Sequence, residues 1–148
     1  MRLRLLSSLA AAAVLAGAFW ARPAHSDGFT LVRCARNETA TLTRAQVREL
    51  ALGRRKAWPH GPVALLVLSR PGTPELHWFA SSLVGVSEAS LMSRIKEQVF
   101  KGEMRKPVVA ASEQDALTAV AAEEGAIGVV RSETAKSLPA GVSVLNVR

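Results

Sequence analysis

The sequence predicts an α/β fold, a single three-layer domain built on a mostly parallel mixed sheet. Three observations point there. Short stretches rich in strand formers (29–35, 63–68, 107–111, 127–130 and 142–147) alternate with stretches whose apolar residues recur at helical spacing. The run Val63–Leu68 is apolar throughout, as in a central strand covered on both faces. Composition is that of an ordinary folded domain: 148 residues, 49% apolar and 21% charged. Alternating strands and helices form layers, with the helices packed against the sheet.

Each element has its own signals. Phe29–Ala35 reads as the first strand, and Asn37–Ala40 as a polar connection. Thr41 or Thr43 can cap a helix starting at Arg44, with Val47, Leu50 and Ala51 on one face. Gly53 stands where a left-handed C-cap belongs, and the Pro- and Gly-punctuated stretch 54–62 reads as a loop. After Val63–Leu68, the turn Arg70-Pro71-Gly72-Thr73-Pro74 places a capping Thr before a Pro at the first helical position, and the helix is expected to reach about Leu83. Ser87 opens a longer helix carrying Leu91, Ile95 and Val99, which Gly102 ends. Pro107–Ala111 is a short strand. Ser112 with Asp115 resembles a capping box and opens a helix that buries Ala116, Leu117, Val120 and Ala121, with Gly125 as its expected stop. Ile127–Val130, a turn or short helix at Ser132–Ser137, and Val142–Val147 complete the chain.

The first 26 residues have a different character. Arg2 and Arg4 precede an apolar run from Leu5 to Trp20, broken only by Ser7, Ser8 and Gly17. A basic start, an Ala/Leu core and small residues beyond it describe a secretory signal peptide. Cleavage is expected after Ala18 or, preferably, after Ser26, which makes residues 27–148 the mature domain and the periplasm its destination. In that oxidising space the lone Cys34, set in an apolar strand, is expected to be buried.

Composition also narrows the function. One cysteine excludes an internal disulfide framework and any multi-Cys zinc site, and His25, His60 and His77 are widely separated. No metal or cofactor is expected. The net charge of +7 divides into +3 within residues 1–26 and +4 over the rest, too dispersed to indicate nucleic acid. Arg54-Arg55-Lys56 beside Trp58 is a weak nucleic-acid signal, and a solvated loop with Trp58 folded onto the domain explains it better. No Gly-x-Ser-x-Gly elbow or acid/base set is present, so no enzyme is indicated.

The most informative segment is the strand-to-helix turn at 70–74. Ligands of open α/β sheets gather beyond the carboxyl ends of the strands, where a helix start offers unpaired N–H groups. Arg70 would supply charge, Gly72 would let a ligand approach the backbone, and Thr73 would donate its hydroxyl. An ordinary capped helix beside an exposed Arg accounts for the same residues.

Several segments, taken in order, resemble one family. Leu42–Arg55 followed by Trp58-Pro59-His60-Gly61 is similar to the LTxxQLxxIFLGK…W.dG stretch of phosphate ABC-transporter substrate-binding proteins. Arg70-Pro71-Gly72-Thr73-Pro74 with Phe79 resembles that family's Arg…Gly-Ser-Gly-Thr…Phe region. Phe100-Lys101-Gly102 and Gly125-Ala126-Ile127-Gly128-Val129 resemble its Phe-Ser-Gly and Gly-Ala-Ile-Gly-Tyr segments. The departures are a missing Ser-Gly pair and nearby Asp, Leu50-Ala51-Leu52 in place of Ile-Phe-Leu, and Val129 in place of Tyr.

The resemblance implies a type 2 periplasmic-binding-protein-like lobe, short by most of the first lobe. It further implies an exported, non-catalytic protein that binds phosphate or a similar small oxyanion through Arg70, Gly72 and Thr73. Its partner would be an inner-membrane ABC permease or an envelope complex. The alternative is a periplasmic protein-interaction module that has lost its ligand, which the missing motif residues favour. A half-clamp could also cover its anion by forming a homo-oligomer, although no residue pattern demands it.

Overall fold

A computed structural model describes residues 28–148, so the expected signal peptide lies outside the described residues. Six strands form one sheet: β1 (Phe29–Cys34), β2 (Thr41–Leu42), β3 (Leu65–Ser69), β4 (Val108–Ala110), β5 (Ala126–Arg131) and β6 (Val142–Val147), in the order β2-β6-β1-β5-β3-β4. β3 runs parallel to β4 and β5, and β2 parallel to β6, while β1 lies between β5 and β6 and runs antiparallel to both. The mixed, mostly parallel α/β sheet is therefore as expected, with one reversed strand at its centre.

Period-2 alternation distributes each strand between two cores. Leu31, Leu66, Leu68, Ile127, Val129 and Leu145 face one side, under α1 (Arg44–Ala51), α2 (Pro74–Trp78), a π-helical segment (Phe79–Val84) and α3 (Glu88–Phe100). Val32, Val67, Ala126, Val130 and Val142 face the other, under α4 (Glu113–Ala122) and the short α5 (Ser132–Ala135). Each fully buried Leu, Val or Phe contributes about 1.5–3 kcal/mol through removal from water. Cys34 is buried and directs its Sγ–H at the Ala121 carbonyl.

The local caps follow the sequence. Thr43, rather than Thr41, caps α1: its hydroxyl accepts from the Gln46 N–H at 3.1 Å, and Gln46 Oε1 accepts from the Thr43 N–H at 2.8 Å. Thr41 belongs instead to β2, because pairing with Asn146 gives its backbone a partner. Ser87 and Ser112 accept from the N–H groups of Ser90 and Asp115. Thr73 accepts from the Leu76 N–H at 3.3 Å, with Pro74 at the first helical position. Thr73→Ala should therefore cost about 0.5–2 kcal/mol in urea unfolding. A variant that unfolds with the parent would show that this cap contributes nothing.

One expectation holds with a change of form and one is corrected. The helix begun at Pro74 runs to Val84, close to the expected end, but widens at Phe79 into a π-helical segment. The wider turn brings Phe79, Ala80, Leu83 and Val84 all onto the buried side, and Gly85 ends it in the left-handed conformation. Gly125, for its part, is not the cap of α4, which ends at Ala122 with Glu123 extended. Gly125 leads into β5 pressed against the Val63 carbonyl, where no Cβ fits. Trp58 also packs here, fully inside, donating its Nε1–H to the Gly125 carbonyl at 2.9 Å. The solvated reading of Arg54-Arg55-Lys56 with Trp58 folded inward is the observed arrangement.

No helix among the described residues is long and apolar enough to cross a membrane.

Candidate functional site

Parallel strands end on the same side of a sheet. β3 and β4 are neighbours and parallel, with Ser69 opposite Ala110, so the turns that follow them meet. Each turn leads through a hydroxyl N-cap into a helix: Thr73 into α2 and Ser112 into α4. Between them lies a small cleft of about 160 Å³ lined by Ser69, Arg70, Thr73, Glu75, Ala110, Ala111, Ser112, Glu113 and Val129. It occupies the position beyond the carboxyl ends of the strands where α/β sheets hold ligands.

Of the three residues singled out from the sequence, Arg70 and Thr73 line this cleft and Gly72 lies in the turn between them. Arg70 is exposed and makes no ion pair among the described residues. Gly72 has φ +83°, a backbone conformation that suits glycine, and open space around it. The Thr73 hydroxyl both caps α2 and donates to the Arg70 carbonyl at 2.7 Å. Its proton is committed within the turn. The Ser112 hydroxyl accepts from Asp115 but donates to nothing among the described residues, so it is the freer donor of the two capping hydroxyls.

Two carboxylates share the cleft. Glu75 Oε1 accepts from Arg131 Nε at 3.3 Å. Glu113 accepts from the Arg131 backbone N–H at 2.6 Å and from the Thr134 hydroxyl at 2.9 Å. The Arg131 guanidinium partly compensates Glu75, whereas Glu113 is held by neutral donors alone, and Arg70 is the cleft's cation without an acidic partner among the described residues. Away from the cleft, on the exposed surface of α3, a hydrogen bond from Lys101 holds the Glu97 carboxyl below the usual range.

The sequence reading missed Glu75, Ser112, Glu113 and Val129 as cleft residues. A signal for Ser112 was present, since Ala110-Ala111-Ser112 repeats the strand-to-cap pattern of Ser69–Thr73. What connects the two turns is the β3–β4 pairing, a contact between distant parts of the chain.

The fold matches solved proteins. An ABC-type phosphate transport receptor from Vibrio cholerae superposes with a TM-score of 0.60 at 19% identity, covering 81% of this chain and 46% of that one. A Clostridium perfringens protein solved with bound phosphate gives 0.60 at 18%, covering 81% and 44%. PstS from Borrelia burgdorferi gives 0.56 at 12%, covering 82% and 47%. This chain thus spans less than half the length of each. No protein-family model matches it, nor does any curated protein sequence. At these identities the likeness is one of fold, and at that level the expected periplasmic-binding-protein-like lobe is observed.

Proposed function

We propose that this chain is an exported, non-catalytic solute-binding protein related to the phosphate-binding components of ABC importers. Its cleft takes phosphate or a similar small oxyanion, with Arg70, Gly72 and Thr73 on one wall. The observation that carries this reading is the meeting of two capped strand-to-helix turns around one cleft beside the unpaired Arg70. The same fold occurs in solved phosphate receptors. Removal of residues 1–26 on export, a periplasmic location for one mature domain, and an inner-membrane permease as receiver belong to the same proposal.

The carboxylates refine the ligand. Glu75 and Glu113 repel a fully ionised anion but can accept a hydrogen bond from one that still carries a proton. Near neutral pH phosphate keeps a proton and sulfate does not, so phosphate is the better fit. The cleft is open, and its affinity should be modest, roughly micromolar to millimolar.

Thermal unfolding of the full chain tests this. A ligand bound only by the folded state stabilises it by RT ln(1 + [L]/Kd), which reaches about 2.7 kcal/mol at a hundredfold excess over Kd. Inorganic phosphate should raise Tm above chloride at matched ionic strength, and sulfate should raise it less. Arg70→Ala should remove most of the shift, whereas Arg54→Ala, in the exposed loop before β3, should keep it. If phosphate and chloride act alike, or Arg70→Ala responds like the parent, the anion reading fails. The interaction module then becomes the better account, and one observation already favours it: the Thr73 hydroxyl is spent on the Arg70 carbonyl.

A further inference from the structure

The sheet stops at β4, whose outer edge faces no other strand among the described residues. Edges of this kind present backbone N–H and C=O groups able to pair with another chain. This one is also apolar, with Val108 and Val109 39% and 53% exposed. Beside it, α3 and β4 enclose a groove of about 360 Å³, floored by Met92, Ile95, Val99, Phe100, Pro107 and Val109. Phe100 is 93% exposed, a large apolar side chain held in water at the end of α3.

The charged residues that line the groove are all basic. Lys96 and Lys106 line it, and no acidic residue does. Neighbouring Lys101 and Arg105 pair with Glu97 and Glu123, whereas Lys96 and Lys106 make no ion pair among the described residues. The groove therefore combines apolar pockets, an open strand edge and two uncompensated cations.

We propose that this edge and groove dock an extended, acidic segment of a partner protein, which adds to β4 as a seventh strand. Its apolar side chains enter the groove against Phe100 and Val109, and its carboxylates meet Lys96 and Lys106. Strand addition draws affinity from main-chain hydrogen bonds and specificity from alternate side chains, and β4 with its flanking groove offers both. A lipid surface could use the cations and apolar groups but could not pair the strand edge. A second copy would bring its own Lys96 and Lys106 to the same interface, since a twofold contact sets the same patch on itself. This surface lies on the sheet edge and the α3 face, and its occupant does not depend on what the cleft binds.

The test uses the full chain and a short fluorescent peptide alternating Glu or Asp with Val or Leu, beside a counterpart with Lys at every acidic position. The acidic peptide should bind, weaken with salt, and slow amide exchange at Val108–Ala110, while the basic one should bind at least about tenfold more weakly. Lys96→Glu with Lys106→Glu should reverse that preference. Phe100→Ser should weaken the acidic peptide without lowering Tm, because the exposed ring contributes little to folding. Absence of peptide binding, equal binding of both peptides, or binding untouched by the lysine reversals each overturns the proposal. So does capture by anionic phosphatidylglycerol vesicles without peptide binding, or self-association abolished by Phe100→Ser.

Discussion

Trp58→Ala should lower the free energy of unfolding by about 3–5 kcal/mol, as expected when a fully buried Trp is truncated. Trp58 is only 2% exposed, sits in the larger of the two cores, and ties the 54–62 loop to the start of β5 through its bond to the Gly125 carbonyl. Trp58→Phe separates the two contributions. It keeps most of the ring contact and loses the hydrogen bond, worth about 0.5–1.5 kcal/mol. The Gly125 carbonyl would not be stranded, because it also accepts from the Leu65 N–H at 2.9 Å. Urea unfolding gives both values. A loss under about 1 kcal/mol for Trp58→Ala would show that the loop is not docked as described.

Gly125→Ala should be comparably severe, about 3 kcal/mol or more, from the other side of the same seam. A Cβ at Gly125 would overlap the carbonyl oxygen and carbon of Val63, which are backbone atoms and cannot swing aside like a side-chain tip. Relief requires moving the entry to β3 away from the entry to β5, and their pairing begins immediately afterwards, with Leu65 opposite Ala126. Gly72→Ala makes a useful contrast. Nothing lies within 4 Å of the added carbon there, so only the left-handed backbone penalty of about 1–2 kcal/mol applies. Equal losses for the two variants in thermal or urea unfolding would mean that the Gly125 contact relaxes freely.

The sequence by itself determined what depends on neighbours along the chain. Thr43, Thr73, Ser87 and Ser112 each satisfy a backbone N–H three residues on, a hydrogen bond that closes within one turn and can be read from spacing. The division of β1, β3 and β5 between two cores follows from the pleat of any strand, once the apolar runs are recognised as strands. Tertiary structure decided what depends on long-range partners. Nothing local sets β1 antiparallel between β5 and β6, or turns Gly125 from an expected cap into a backbone contact with Val63. The candidate site divides in the same way: Arg70-Pro71-Gly72-Thr73 was legible as a strand-to-helix turn, but its second wall at Ala110–Glu113 comes from about forty residues away through the β3–β4 pairing. Helix caps and strand faces follow from bonds a few residues apart, whereas strand order follows from which distant faces bury the most apolar surface together.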